Sequence, residues 1–535
     1  MFVVFFALWG GGPEMKVGFL NVYPYRPHGH HARYLGRISK SIGWETYALV
    51  CDGNAEHCYL RELKGTGRSE CAKCIVGGLR SFDFDQIDSA WRYWSKNAVR
   101  PEYETFVESS AYTLTRIESW DQRQSEVVAD KKKILLPDSV NFYYATLRWI
   151  EHRKLDVVIA FNGRMDLTRA AIEACRTAGI PFVTHERPLF GHGLILNRNA
   201  NCSSLEKIHR INQQYSAKSL SAEQCAIAAK LAAERLTGGN LLEWKRYNAN
   251  ADKTDAWPVR SAGPRVLVCP SSKNELLGHP DWATEWADNT DAIDIAVANG
   301  WFGYADILVR FHPSWSVKFG QVSAKLCEEH YQQWCESRGV TFIESSSKIS
   351  TQDLIRMADV VVLNGSNTVF EAGILGKPVV CLGPSPYSYS GAATDILTID
   401  DLESTDFDKV LKVDPARLIS RTLRYFYSKA AREPVFVNFV RSKTVTECSF
   451  YEGADPQMLA ELVTNGAELV DDIKFSDSSE HEDVYVRAFL NGERESLVRM
   501  ASSVWLRADT AEIKLSRKSP YGLVDRVRGL SPKGV

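Results

Sequence analysis

The chain has 535 residues, 44% hydrophobic and 24% charged, which is enough for about three globular domains of ~150 residues each. Its 64 basic and 66 acidic residues give a net charge of −2, which argues against nucleic acid as a partner held by bulk charge. The 12 cysteines of a chain this long, without a recognisable export signal, are expected to be reduced, so the cytoplasm is the expected location.

The chain opens with a short apolar stretch at residues 2–9. It is too short for a membrane span and lacks the positive flank and small-residue cleavage site of a secretory signal. Residues 10–13 are Gly-Gly-Gly-Pro, and Met15 is an alternative start. We therefore expect residues 1–14 to be an unstructured leader.

From residue 15 the sequence alternates between strand and helix patterns. An apolar run predicts a first buried strand over residues 16–22, and a helix follows over about 32–42. The loop between them carries His28, His30 and His31, where a group-transfer enzyme could hold the base that activates its acceptor. His31 is the candidate base, and an exposed polar loop is the alternative.

Four cysteines lie in the next polar region: Cys51, Cys58, Cys71 and Cys74. The last two form a CxxC knuckle, and four thiolates in a stretch with little to pack against predict a structural zinc site. The first pair is more widely spaced than usual, and His57 could replace one cysteine. Reduced thiols packed under a loop are the main alternative, and an iron–sulfur cluster is a third.

Residues 81–133 predict polar helices, and two more βαβ units follow, the second with a strand over residues 181–185. Glu186 stands at the end of that strand and is a candidate base at the reaction centre. A salt bridge to Arg187 or Arg164 is the competing interpretation.

The polar segment 248–264 predicts a linker before a second α/β series. The resulting domains are 15–250, with a cysteine-rich insertion, 251–415, and a helical C-terminal extension over 416–535. The predicted strands of the second series are 265–269, 305–311, 340–343, 360–363 and 379–382.

The strongest signal in the second series is the strand over residues 360–363 and the turn that ends it. Ser366, Asn367 and Thr368 occupy the turn before a helix, where free N–H groups at the carboxyl edge of a parallel sheet bind anions. Glu371 lies one turn further on and could accept two ribose hydroxyls. These residues predict a nucleotide-sugar site, and an ordinary helix cap with a solvated glutamate is the alternative.

The fold class predicted is α/β: two Rossmann-like domains that face a cleft, as in GT-B glycosyltransferases, with a C-terminal helical extension. Several motifs together resemble the bacterial capsule polysaccharide biosynthesis family. They are Arg310–Pro313 (RFHP), Leu354–Asp359 (LIRMAD), Ser366–Ala372 (SNTVFEA), Gly376–Pro378 (GKP) and Tyr387–Gly391 (YSYSG). The resemblance covers residues 265–395 well, and in the first half it extends weakly over Glu186 and its following loop.

The best understood members of that family are retaining β-Kdo transferases that use CMP-Kdo. The resemblance implies that His312 and the 366–368 turn hold the donor phosphate, Glu371 the ribose, and Glu186 the reaction centre. The full candidate donor-binding set is Arg310, His312, Pro313, Ser366, Asn367, Thr368, Glu371, Lys377, Tyr389 and Gly391.

One loop departs from the family pattern. The family carries a glutamine and an aspartate after the first strand of the second half, where this chain has Cys-Pro-Ser-Ser-Lys-Asn-Glu over residues 269–275. Glu275 is the candidate replacement for the acidic group. A sialic-acid-type or hexose donor, linked to CMP or UDP, therefore stays open.

The leading function is a glycosyltransferase acting on a nucleotide sugar and a glycan or glycolipid acceptor. Two DxD triplets, residues 83–85 and 406–408, do not follow predicted buried strands, which favours metal-independent transfer. A nucleotide-sugar 2-epimerase and a non-catalytic polysaccharide-assembly subunit are the alternatives. The locally basic segment 497–535 predicts either peripheral membrane contact or a solvated tail.

Overall fold

The computed structural model describes residues 15–243, 251–494, 496–497, 510–519 and 521–523. The predicted leader over residues 1–14 lies outside the described residues.

The first half is built on a six-stranded sheet in the order β3-β2-β1-β4-β5-β6, parallel except for β6, which runs antiparallel to β5. Its strands are β1 (Lys16–Leu20), β2 (Glu45–Val50), β3 (Gln86–Ser89), β4 (Val157–Phe161), β5 (Phe182–Glu186) and β6 (Ile195–Arg198). Every residue of β4 is buried, because helices cover both faces of the sheet.

The α-helices among the described residues of this half are α1 (His28–Ser41), α2 (Tyr59–Lys64), α3 (Arg68–Gly77), α4 (Glu108–Thr115), α5 (Glu126–Arg153), α6 (Asp166–Ala178), α7 (Glu206–Tyr215) and α8 (Ala222–Thr237). Helix α5 packs Trp149 onto the sheet at Gly18, where an added Cβ would lie 2.6 Å from the indole ring. Only glycine allows this close approach of helix and strand.

The second half contains a parallel six-stranded sheet in the order β12-β11-β10-β7-β8-β9. Its strands are β7 (Val266–Cys269), β8 (Ile307–Arg310), β9 (Thr341–Ile343), β10 (Val360–Leu363), β11 (Val379–Leu382) and β12 (Thr394–Ile396). Its helices are α9 (Asn289–Ala298), α10 (Lys325–Arg338), α11 (Thr351–Met357), α12 (Val369–Ile374), α13 (Ile399–Ser404) and α14 (Phe407–Leu411).

The C-terminal segment contacts both halves. Its elements are α15 (Pro415–Tyr427), β13 (Val440–Ser442), β14 (Cys448–Tyr451), α16 (Pro456–Asn465), α17 (Glu480–Leu490) and β15 (Glu512–Ile513). Helices α15 and α17 share a hydrophobic cluster with α8 and α12, while β14 and α16 pack with α1 and β1. The segment predicted as a helical extension thus also carries a small antiparallel sheet, β13-β14-β15.

The predicted α/β class with two Rossmann-like halves is confirmed. Three short strands at or near sheet edges, β3, β6 and β12, were not predicted. In β3 the sequence Gln-Ile-Asp-Ser is polar because Asp88 is buried against two side chains of α5. It accepts hydrogen bonds from Trp149 Nε1 (3.0 Å) and Arg153 Nε (2.7 Å).

None of the described helices is long and apolar enough to cross a membrane.

Glu482 should be among the most sensitive positions for stability. It is 1% exposed and accepts hydrogen bonds from Arg424 Nη2 (2.7 Å), Ser420 Oγ (2.8 Å) and the backbone N–H of Leu220 (2.7 Å). Replacing Glu482 with Ala leaves the Arg424 guanidinium buried without its carboxylate, so we expect a loss of roughly 3–5 kcal/mol in unfolding free energy.

Urea unfolding measures this loss, with Glu480→Ala as the control, since Glu480 begins the same helix but is exposed. Equal stabilities for the two variants would contradict the structural role of Glu482.

Candidate functional site

The carboxyl edges of the two large sheets face each other across the interface between the halves. Arg164, just after β4, pairs through Nη2 with Glu275 in the loop after β7 at 3.1 Å. Ser109 Oγ of α4 donates to the Glu275 carbonyl oxygen at 2.9 Å. Because ligands bind at the carboxyl ends of parallel strands, these contacts place the ligand-binding edges of both halves in one site.

A cavity of about 560 Å³ lies at this interface. Residues 118–123 of the first half line one side, and residues of the loop 273–289 line the rest. The lining is mixed, with Trp120, Trp282 and Trp286 beside ionisable groups. A volume of this size is within the range of small-molecule and cofactor sites.

Lys273 is the buried cation of this cavity. It is 7% exposed, and its Nζ lies 4.9 Å from the centre of the Trp282 ring. Burial lowers the pKa of Lys273 to about 8. A bound anion would favour its protonated form, so Lys273 is suited to hold a phosphate.

Glu118 faces Lys273 from the first half. Its carboxylate accepts hydrogen bonds from the backbone N–H of Lys273 (3.1 Å) and from Asn274 Nδ2 (3.2 Å). Burial raises the pKa of Glu118 to about 7, against the opposing effect of these hydrogen bonds. The group therefore changes its protonation state near neutral pH.

The turn after β10 lies against the same cavity wall. Gly365 has φ +100°, and an added Cβ there would lie 3.2 Å from Trp282 and 3.9 Å from Lys273 Nζ. Ser366 Oγ and Thr368 Oγ1 are 2.9 Å apart, and Asn367 is exposed. The predicted phosphate turn and Lys273 are thus neighbours.

The predicted ribose contact requires Glu371 to be open to a ligand, but the structure places it in a buried ion pair. It is 7% exposed, and its Oε1 lies 3.0 Å from Arg235 Nε of α8. Arg235 also pairs with Glu243 and donates to the Asn367 carbonyl oxygen at 3.3 Å. This ion pair joins α8 to the helix that follows the turn, and the ribose role of Glu371 stays a prediction.

Glu186 ends β5 at the carboxyl edge of the first sheet. Its Oε1 lies 3.3 Å from His28 Nε2, and its Oε2 accepts a hydrogen bond from Asn162 Nδ2 at 2.9 Å. The side chain is 24% exposed. Burial raises the pKa of Glu186, and the two arginines beside it, Arg164 and Arg187, act in the opposite direction.

His31, the histidine predicted as a base, is fully buried beneath this carboxylate. It packs with His28 and His185, whose pKa values burial lowers to about 3. His28, rather than His31, therefore contacts the candidate reaction-centre carboxylate.

The RFHP motif follows β8 at the carboxyl edge of the second sheet. Arg310 is 4% exposed and donates to the carbonyl oxygens of Phe311, Glu344 and Ser347 at 2.7–2.9 Å. The Nδ1 atom of His312 accepts from the backbone N–H of Ser314 in the short 3-10 helix that Pro313 begins. Arg310 thus braces these loops with its own N–H groups.

The remaining donor candidates are dispersed. Lys377 precedes β11 at the amino edge of the sheet, where Nζ donates to the Ala358 carbonyl oxygen at 2.9 Å. Tyr389 and Gly391 follow β11 at the carboxyl edge, and the Tyr389 ring packs against His209 of α7 at 5.1 Å. Lys377 is therefore at the end of the sheet opposite to the 366–368 turn.

The zinc prediction for the four cysteines is not supported. A metal site needs at least three ligand atoms close to one another. Among the described residues, none of the groups whose ligand atoms lie within 4.8 Å of one another includes Cys51, Cys58, Cys71 or Cys74. Three of these thiols instead pack against a hydrophobic cluster, as in the packed-thiol alternative. Helix α2 separates the two pairs along the chain, and the second pair lies within α3.

Sequence reasoning missed Lys273, Glu118, Trp282 and the His28 contact with Glu186. Of these residues, only Lys273 could have been found from the sequence, because it lies in the loop after the first strand of the second series. Glu118 and Trp282 lie in irregular segments, and nothing in their local pattern points to the cleft.

No protein-family profile matches this chain, and no curated protein matches it. Similar solved structures include the β-Kdo 2,4 transferase KpsC of Thermosulfurimonas dismutans, with 13% identity, a TM-score of 0.33, and coverage of 63% of this chain and 87% of that one. Another is the UDP-GlcNAc 2-epimerase of Neisseria meningitidis bound to UDP-GlcNAc, with 13% identity, a TM-score of 0.27, and coverage of 77% and 94%.

A third is the glycosyltransferase SnogD of Streptomyces nogalater, with 11% identity, a TM-score of 0.22, and coverage of 78% and 96%. Likeness at these TM-scores carries no argument about the chemistry of this chain.

The pH dependence of stability tests the burial of Glu118. Its folded-state pKa of about 7 exceeds the ordinary value of 4.5, so between these values the folded state keeps a proton that the unfolded state has released. Stability contributed by this group is therefore present below 4.5 and falls as pH rises through about 7, by roughly 3 kcal/mol. Replacing Glu118 with Gln removes that part of the pH dependence.

Urea unfolding of the wild type and Glu118→Gln across this pH range measures the difference. The exposed Glu102→Gln is the control and keeps the wild-type slope. Parallel stability curves for wild type and Glu118→Gln would show that Glu118 has the same pKa in the folded and unfolded states.

Proposed function

We propose that this chain is a glycosyltransferase that moves a sugar from a nucleotide donor to a glycan or glycolipid acceptor. The observation that carries the proposal is the 560 Å³ cavity with a buried lysine, at the place where the carboxyl edges of two Rossmann-like sheets meet. A nucleotide sugar has an anionic diphosphate or monophosphate, a base that stacks on aromatic rings, and a polar sugar. The cavity offers Lys273 and the tryptophan rings for the first two.

The donor is proposed to bind on the second half. Lys273 and the 366–368 turn hold the phosphate, and charge that develops on the leaving phosphate is stabilised by a cation already in place. His312 lies at the same carboxyl edge and is retained as a donor-side residue. Arg310 and Glu371 support these loops through their own contacts.

The acceptor is proposed to approach from the first half, where Glu186 stands. As the acceptor oxygen bonds to the anomeric carbon, the bond from that carbon to the phosphate breaks, and the hydroxyl proton passes to a base. A partly exposed carboxylate with a raised pKa is suited to take that proton. Glu275 is held by Arg164, whose charge also acts on Glu186.

CMP-Kdo is the first donor to test, because the motifs of residues 310–391 resemble those of the capsule polysaccharide family. Purified protein is incubated with CMP-Kdo, CMP-sialic acid and UDP-sugars, with and without a lipid-linked glycan, and released nucleotide is measured. Acceptor-dependent release supports transfer. Sugar isomerisation without an acceptor would assign a 2-epimerase instead, and nucleotide binding without turnover would assign an assembly subunit.

Donor affinity should depend on Lys273. Replacing Lys273 with Met keeps the length of the side chain and removes its charge, so we expect donor nucleotide binding to weaken by about 1.5–3 kcal/mol, roughly 10- to 100-fold. Isothermal titration calorimetry measures this change, with the exposed Lys325→Met as the control. Unchanged affinity in a folded Lys273→Met variant would show that the donor phosphate does not bind in this cavity.

Turnover should depend on Glu186. Replacing Glu186 with Gln keeps its size and leaves no carboxylate to accept the proton, so we expect kcat at saturating donor to fall by about 100- to 10,000-fold. The exposed Glu206→Gln is the control and keeps the wild-type rate. A rate within a few-fold of wild type would leave Glu186 as a structural partner of His28 and Asn162.

A further inference from the structure

Three buried histidines converge beneath Glu186. His28 and His31 lie in the first turn of α1, and His185 is the penultimate residue of β5. All three are at most 3% exposed. One ring nitrogen of each histidine lies within 4.8 Å of a ring nitrogen of each of the other two. Among the described residues, this is the group of histidine, cysteine and carboxylate side chains that is close enough to hold a metal ion.

The two histidines of α1 are on one face because they are three residues apart. His30, between them, points elsewhere and packs edge-on against Phe82 at 4.9 Å. The fold therefore selects two of the three neighbouring histidines for the cluster.

The hydrogen-bonding state of the rings leaves nitrogens available inside the cluster. The Nδ1 atoms of His28 and His31 and both ring nitrogens of His185 are buried and make no hydrogen bond. The opposite nitrogens of the α1 pair do have partners. His28 Nε2 faces Glu186 Oε1 at 3.3 Å, and His31 Nε2 lies 3.7 Å from Cys448 Sγ.

This arrangement is costly without a ligand. Each buried polar atom left unsatisfied costs about 1–3 kcal/mol, and four such nitrogens are gathered here. A metal ion bonded to one nitrogen of each ring would satisfy three of them at once. A histidine that binds a metal through one ring nitrogen usually donates the N–H of its other nitrogen to a carboxylate, which fixes its tautomer.

The spacing is within reach of a metal. Two imidazole nitrogens on a tetrahedral zinc lie about 3.3 Å apart, given Zn–N bonds of ~2.0–2.1 Å. The ring centres are 5.5 Å apart for His28 and His31, 6.1 Å for His28 and His185, and 6.3 Å for His31 and His185. Small movements of the rings toward one another are enough for all three nitrogens to bond to one ion.

We propose that His28, His31 and His185 form a mononuclear metal site for Zn²⁺ or a similar divalent transition ion. Three neutral imidazoles leave a fourth position for water or another ligand. Glu186 supports the site from outside through His28. The site is distinct from the four cysteines of residues 51–74 and does not depend on the proposed sugar transfer.

Metal binding is tested on untagged full-length protein. The protein is stripped with a chelator and dialysed against buffered Zn²⁺, and bound zinc is measured by elemental analysis. We expect one zinc per chain in the wild type and an affinity at least ~100-fold weaker in His31→Phe and His185→Phe. His30→Phe is the matched control, and the double variant Cys71→Ser/Cys74→Ser retains the zinc.

Cobalt substitution gives a second readout that does not require a variant to fold. Tetrahedral Co²⁺ bound by imidazoles shows visible d–d bands without the strong sulfur-to-cobalt charge-transfer band of thiolate ligands. Absence of stoichiometric zinc in the wild type, a thiolate spectrum, or full retention of zinc by folded His185→Phe would each overturn the proposal.

Metal content of Glu186→Gln separates this site from the sugar chemistry. Loss of an outer carboxylate is expected to weaken zinc binding by about 10- to 100-fold while leaving one zinc per chain at saturation. Turnover of that variant is therefore measured with zinc saturating, so that a rate defect there reports on Glu186 itself.

Discussion

The ion pair of Arg164 with Glu275 is the interaction on which the geometry of the cleft depends. Arg164 is 8% exposed, and its Nη1 donates to Ser109 Oγ and Thr113 Oγ1 of α4. A guanidinium buried this deeply needs acceptors for its charge, and Glu275, although 51% exposed, supplies the carboxylate. One side chain thus fixes the end of β4, the helix α4 and the loop after β7 relative to one another.

The segment after residue 415 maintains this arrangement from the outside. Helix α15 packs on α8 and α12, so the last helix of the first half shares its core with the second sheet. Strand β14 and helix α16 then return to pack on β1 and α1. Because the chain is bound to both halves after it leaves the second sheet, the cavity is formed by the fold itself. Such preorganisation lowers the entropic cost of ligand binding.

The two sides of the cleft differ in their chemistry, and burial sets that difference. On the second half burial lowers the pKa of Lys273, so that an anion is the favoured partner. On the first half burial raises the pKa of Glu118 and Glu186, so that both carboxylates are suited to proton exchange. Beneath Glu186, burial lowers the pKa of His28 and His185 and favours their neutral form, so their imidazole nitrogens carry no positive charge. In the proposed function, anion binding and proton transfer therefore fall on opposite halves.

The sequence by itself determined the features that local pattern controls. Strands β4 and β10 are uninterrupted apolar runs because both faces of a parallel sheet are covered, and the turn at 364–368 follows from its break in that pattern.

The tertiary structure alone decided the rest. The edge strand β3 is polar because Asp88 is paired with α5. The CxxC spacing suggested a zinc site, but the four thiols do not form a set of ligand atoms within 4.8 Å of one another. Lys273 and Glu118 meet from positions 155 residues apart. His28 and His31 reach His185 only because β1 and β5 both flank β4. Local pattern encodes which face of an element is buried, whereas convergence of distant side chains requires the packed sheets.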